Sequence, residues 1–415
     1  MNARAGSGER KGGREALGWR LLATALAALA AVNAGPPAAL AGAMPIAFAR
    51  ASLGGGTPEN VQLEGDRLEL STGATRGTWT AAIAQPGFAF DRLVASWNAD
   101  TPGDSSLRVE VQATTDAGEA TDWYTLGMWA ADDHAVRRTS VAGQRDSLGR
   151  VDTDTLYAVG SPFVSYMLRV GLERASPDDG SPSLRMLGAS VSNVSYAPGQ
   201  PTSQPLGGDA IELAVPVYSQ EVHAREYPQW GGGGEVWCSP TSTEMVVEFW
   251  GRGPSPDDLG WVDPSFADPS VDHAARATYD LAYHGTGNWP FNAAYAARFG
   301  LDAFVTQLRS LTEAEQFVRA GIPLVASIAS RPGELDGFLF SGGTNGHLVV
   351  IAGFDGAGNP IVNDPAAWSD ASVRRTYDRA QFERVWLRGS GGTVYVIYPP
   401  EVPLPPPPAD AAANW

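Results

Sequence analysis

The chain changes its pattern once, and that change bounds what it can fold into. Up to about Tyr196, short alternating apolar runs are separated by turn clusters, with no amphipathic helix between them. Leu107, Val109 and Val111 alternate with Arg108, Glu110 and Gln112, and Tyr166, Leu168, Val170 and Leu172 repeat the period of two. Strands are expected over 67–70, 90–97, 107–113, 163–172 and 184–194, with turns at 100–105 and 176–183. This predicts an all-β sandwich or jelly-roll domain over 44–196. Residues 197–209, rich in Pro, Gly, Ser and Thr, read as a linker. From Ile211 the pattern mixes helix and strand, predicting a second, α+β domain over 210–399. Its helices fall at 241–250, 271–283, 292–299 and 311–320, and its strands at 323–328, 347–354, 361–363 and 393–398. The proline-rich tail, 400–415, is expected to be extended or disordered.

Residues 1–43 read as a signal peptide. Arg4, Arg10, Lys11, Arg14 and Arg20 form a basic start, Leu21 to Val32 an apolar stretch, and small-residue cleavage sites follow at Ala34, Ala41 and Ala43. The apolar stretch is too short for a membrane span, so export through the general secretory route and release as a secreted, extracellular bacterial protein are expected. With Glu9 and Glu15 counted, removing the segment leaves the chain three charges more negative than the −17 of the whole. Such acidity argues against nucleic acid or anionic lipid as partner.

Cys238 is the only cysteine, so no intramolecular disulfide exists. It precedes Ser239, Pro240 and Thr241 and an apolar run at helical spacing, which places it at or just before a helix N-terminus. Unpaired N–H groups and the positive end of the helix dipole stabilise a thiolate there. A buried structural cysteine is the plainer alternative.

A cysteine nucleophile needs a base and a group that orients it. Of five histidines, His134 lies in the β region, His223 in a polar loop, and His273 and His284 on or beside a helix. His347 differs, since it follows the glycine-rich run 341–346 and opens a strand. Residues 347–366 read as one β-hairpin with its turn at 355–359. A two-residue turn sets His347 across from Asp364. A four-residue loop sets Asp364 across from Val349, diagonal to His347 on the same face. A one-residue bulge would remove that agreement. In the resulting Cys–His–Asp site, Cys238 attacks a carbonyl, His347 moves the proton, and Asp364 fixes the imidazole. An oxyanion donor is sought at Gln220 or Gln229, Gln220 being preferred because it ends a strand-like run. Trp230, Trp237 and Trp289 are candidates to line a cleft. Ligand spacings for a metal and glycine motifs for a nucleotide are lacking, so no cofactor is expected.

The order VPVYSQ, WCSPTSTEMVVEF and GHLVVIAGFDGAGNPIVNDP resembles the papain-like cysteine peptidases related to the bacteriocin-processing, double-glycine family, and more closely their stand-alone secreted bacterial members. The resemblance spans roughly 211–398. It implies a papain-type α+β fold, with Cys238 as nucleophile, His347 as base, Asp364 as orienter and Gln220 as oxyanion donor. Two departures matter: Ser239 stands where glycine is frequent, and Gln220 lies eighteen residues before Cys238. The expected activity is hydrolysis of peptide or isopeptide bonds in a peptide or protein substrate. Acyl transfer, cleavage of cell-wall stem peptides, or binding without catalysis are the rivals. The β domain is similar in general character to galactose-binding-like jelly rolls, which makes glycan contact one expectation and a structural role the other.

Overall fold

The computed structural model describes residues 44–415 apart from 134, 135, 195, 197 and 198. The segment read as a signal peptide and His134 lie outside them.

The first half is all β. Its strands are β1 (Ile46–Arg50), β2 (Thr57–Glu59), β3 (Val61–Glu64), β4 (Arg67–Leu70), β5 (Arg76–Thr80), β6 (Arg92–Asp100), β7 (Ser106–Thr115), β8 (Tyr124–Trp129), β9 (Gly149–Asp152), β10 (Thr155–Ala158), β11 (Phe163–Glu173) and β12 (Ser183–Ser192). One sheet runs β3-β4-β12-β6-β10-β9 with β1 on β12, and the other β2-β5-β11-β7-β8. Pairing is antiparallel throughout. The inward residues of the period-two runs, among them Leu107, Val109, Val111, Leu168 and Val170, form one core with Trp79, Trp97 and Trp129. This is the predicted sandwich.

The second half is mixed. It contains β13 (Ile211–Glu212), α1 (Cys238–Phe249), α2 (Pro269–Thr278), α3 (Trp289–Ala297), β14 (Asp302–Gln307), α4 (Leu311–Arg319), β15 (Leu324–Ser330), β16 (Thr344–Phe354), β17 (Pro360–Asn363), β18 (Arg374–Thr376), α5 (Arg379–Ser390) and β19 (Thr393–Tyr398). The sheet runs β14-β19-β15-β16-β17-β18, with β13 on β16. Sequence reasoning missed β14 and α5, although α5 has both punctuation marks of a helix. Asp378 accepts Gln381 N–H at its start, and Gly391, at φ 73°, closes its end.

The halves share a core. Phe291, Ala294 and Tyr295 of α3 and Ala274 and Ala277 of α2 belong to the sandwich cluster. Phe291 meets Trp129 with ring centroids 5.5 Å apart. Glycine is required at Gly127, because a Cβ there would come within 2.9 Å of both Phe291 and Trp97. At the rim, Asn98 both donates to Ala303 O at 2.7 Å and accepts Ala303 N–H at 3.2 Å. Ser96 Oγ accepts Val305 N–H at 2.8 Å.

The tail is extended but docked, which corrects the expectation of disorder. Ala413 O accepts Phe48 N–H at 3.0 Å, the buried Asn414 donates to Gln307 O at 2.8 Å, and Trp415 packs on Phe317. The linker region is pinned as well, with Arg379 donating to Ser203 O at 2.8 Å.

Candidate active site

Cys238 is the first residue of α1. The residue before it, Trp237, is fully buried and its indole donates to Trp230 O at 2.8 Å, which fixes the start of the helix. Pro240 sits in the first turn, where a missing N–H costs nothing. Ser239 is buried and shares a 2.9 Å hydrogen bond with the Tyr395 hydroxyl on β19, so the hydroxyl that departs from the frequent glycine has a partner. Ser242 donates to Leu348 O at 3.1 Å, tying α1 to the strand residue next to His347.

His347 and Asp364 meet through a hairpin with a defect. Asp355 N–H bonds Asn359 O, so three residues separate the paired ends of the turn. Phe354 then pairs with Pro360 and Gly353 with Ile361, a register that would turn Asp364 to the face opposite His347. A bulge between Ile351 and Gly353 moves the register by one, giving Ile351–Val362 and Val350–Asn363. Extended one step, that register sets Asp364 against Val349, the diagonal arrangement on the face of His347. The bulge therefore makes the agreement it was expected to remove.

His347 Nε2 and Asp364 Oδ1 are 2.7 Å apart, and both side chains are buried. Phe340 closes one face of the imidazole, with centroids 4.9 Å apart. Cys238 lines the same cleft as the ring; with Nε2 taken by Asp364, Nδ1 is the nitrogen left to face it. Burial pulls the His347 pKa down, but the charge and hydrogen bond of Asp364, with Cys238 adding to them, raise it to about 10. Burial likewise pushes the Asp364 carboxyl up, and His347 with Tyr377 outweighs it, leaving the pKa below the usual 3.8.

Cys238, His347 and Gln220 line one cleft of about 660 Å³. Gln220 is buried and donates from Nε2 to Glu235 O at 2.9 Å and, over a longer 3.5 Å, to Glu221 Oε1. Gly234 makes room for this turn, since a Cβ there would lie 2.2 Å from Gln220 O. Gln229 is exposed and does not line the cleft. Of the three tryptophans, only Trp289 lines it; Trp237 is core, and Trp230 packs with Tyr227 and Trp261. His273 is buried against the Tyr295 hydroxyl at 3.0 Å, His223 is buried beside Glu226, and His284 is on the cleft wall.

One wall was not foreseen. The β9–β10 hairpin of the sandwich brings Asp152 to Thr155 into the cleft, which Tyr283 to Gly287 also line. Thr153 takes the left-handed conformation at its tip, φ 54°. Buried Asp154 accepts Trp289 N–H at 2.8 Å. A strand alternation signals a hairpin but not which domain its tip will touch.

A cysteine that opens a helix, packed on an antiparallel sheet carrying histidine and aspartate, defines the papain-like class. Within it, residues 51–192 match the peptidase C39 N-terminal domain and residues 212–394 the peptidase C39-like family. The chain is a member of the C39-related papain-like peptidases. No curated protein matches it. Among solved structures, a C39-like peptidase from Bacillus anthracis is 18% identical with a TM-score of 0.30, covering 46% of this chain and 98% of its own. Accessory secretory protein 1, 2 and 3 of Streptococcus pneumoniae is 12% identical at 0.19, covering 34% and 90%. A family two carbohydrate esterase from Cellvibrio japonicus is 16% identical at 0.18, covering 39% and 37%.

Proposed function

We propose that the chain is a secreted cysteine peptidase, hydrolysing peptide or isopeptide bonds through Cys238, His347 and Asp364. The observation that carries this is the buried 2.7 Å His347–Asp364 pair, whose histidine lines one cleft with Cys238. A raised imidazole pKa favours the imidazolium and, with it, a thiolate at the helix start. The thiolate attacks the scissile carbonyl carbon, forming a C–S bond. The oxyanion is met by the Cys238 N–H, which has no intrahelical acceptor, and by the Gln220 N–H that makes only a long, 3.5 Å hydrogen bond to Glu221. Collapse breaks the C–N bond as His347 gives its proton to the leaving amine. Water, deprotonated by His347, then releases the acid from the thioester.

The substrate is a peptide or protein segment with neutral or basic side chains. The cleft lining carries Asp152, Asp154 and Glu235 and no arginine or lysine, which disfavours polyanions. The sandwich contributes a wall of the cleft, so its role in this reading is substrate selection.

The test is iodoacetamide alkylation of the folded protein across pH, beside His347→Ala and Cys238→Ala. Rapid labelling well below pH 8, slowed by His347→Ala and absent in Cys238→Ala, is expected. Labelling only after denaturation would leave a binding protein on a papain-like scaffold.

A further inference from the structure

Three side chains that the proposed reaction does not use converge beside Trp237. His223 ends the short turn Gln220–His223, Glu226 follows three residues on, and Asp272 stands in the first turn of α2. One ligand-capable atom from each lies within 4.8 Å of the others. His223 Nδ1 is 2.8 Å from Glu226 Oε2 and 3.6 Å from Asp272 Oδ2. The His223 and Asp272 side chains are fully buried, and Glu226 reaches the surface with 12% of its side chain exposed.

The second observation is the state of Asp272. Neither of its oxygens has a hydrogen-bond partner, although the side chain is inaccessible to solvent. An ionised carboxylate taken out of water without donors is strongly disfavoured. A single imidazolium offers one positive charge and one Nδ1 proton, already directed at Glu226, against two carboxylates. A divalent cation would compensate both.

We propose that His223 Nδ1, Glu226 and Asp272 bind a first-row divalent cation of the zinc class. Ligands about 2.0–2.2 Å from zinc stand roughly 3.0–3.6 Å apart at octahedral or tetrahedral angles, close to the two separations measured from Nδ1. An imidazole in the set favours zinc or its neighbours over calcium and magnesium, which prefer oxygen alone. The partly exposed Glu226 gives the ion its way in. Bound there, the ion joins the turn that carries Gln220 to α2. It also holds the imidazole that packs on Trp237 at 6.1 Å, one residue before Cys238. The binding is independent of the peptidase reading; only this influence on Gln220 and Cys238 rests on it.

The test uses the full chain carrying Cys238→Ala, so that zinc cannot settle on the thiol. The protein is stripped with EDTA and titrated with zinc chloride by calorimetry, with thermal unfolding followed in parallel and cobalt chloride as a visible-absorption probe. One saturating equivalent, a rise in melting temperature and cobalt bands that vanish in His223→Gln are expected. Asp272→Asn should weaken binding roughly 100-fold and Glu226→Gln roughly tenfold. Glu226→Gln, at the surface edge, keeps the test decisive if Asp272→Asn does not fold. Absence of one-equivalent binding, or binding indifferent to Glu226→Gln and Asp272→Asn, would overturn the proposal and leave His223 as an imidazolium shared by the two carboxylates.

Discussion

The Tyr377 hydroxyl donates to Asp364 Oδ2 at 2.7 Å, while His347 and the Ala366 N–H occupy Oδ1. Both oxygens of the orienting carboxylate are thus held, and the carboxylate can rotate only by breaking a buried hydrogen bond. A hydrogen bond to a charged group is worth about 1.5–3 kcal/mol. Tyr377→Phe should therefore lower kcat/KM by about tenfold or more without unfolding the protein. It should also move the acid limb of the pH profile upward, because Asp364 loses a donor that depresses its pKa. A profile that keeps its acid limb would remove Tyr377 from the site's electrostatics.

The His347 pKa, raised to about 10 in the folded chain, sets the alkaline behaviour. With an unfolded value near 6.5, the folded state holds the extra proton between those limits. The resulting stabilisation is complete below pH 6.5 and is lost as pH rises toward 10. Peptide hydrolysis should persist to about pH 9 and then fall. Asp364→Asn should keep the fold, lose most activity and bring the alkaline limb down toward that of an ordinary histidine. Thermal melts and rate profiles over pH 6–10 check both, and a limb unmoved in Asp364→Asn would contradict the assignment.

Gln220 and Gln229 can be separated by paired substitution. Removing one oxyanion donor costs about 2.7–4 kcal/mol in the barrier, so Gln220→Ala should cut kcat by about 10²–10³ with little change in KM. Gln229→Ala, exposed and outside the cleft, should behave as wild type. The reverse result would transfer the role.

Asp154 tests the wall supplied by the sandwich. Burial raises its pKa to about 6, against the hydrogen bonds from Trp289 N–H and Thr155. Asp154→Ala leaves the Trp289 N–H without its acceptor and loosens the hairpin tip. KM should rise several-fold while kcat changes little, since the residue positions substrate without touching the reacting bond. Equal loss in kcat and kcat/KM would place it in the chemistry instead.

Much of this was legible in the chain. Alternation announced the sandwich because each strand buries one face, and Cys238, His347 and Asp364 were reachable from a helix start and a hairpin. What eluded sequence reasoning came from contacts with no local mark. Tyr377 comes to Asp364 from the position just after strand β18, and the cleft wall from a strand tip more than 80 residues before Cys238. The bulge at Ile351/Gly353 falls at a glycine inside a strand, a mark that was in the sequence and was not used. Helix α5 was a failure of that second kind, since Asp378 and Gly391 bracketed it in plain view.

The hydrogen bonds from Asn98 and Ser96 to Ala303 and Val305 fall on β14, the last strand of its sheet. Open strands invite the next molecule to add its own. Cut away from the sandwich near residue 210, the C-terminal half would offer that strand, with Phe291 and Tyr295 beside it, to any neighbour. It would be expected to polymerise edge to edge. The N-terminal half thus covers the open edge of its neighbour's sheet as well as forming a wall of the cleft.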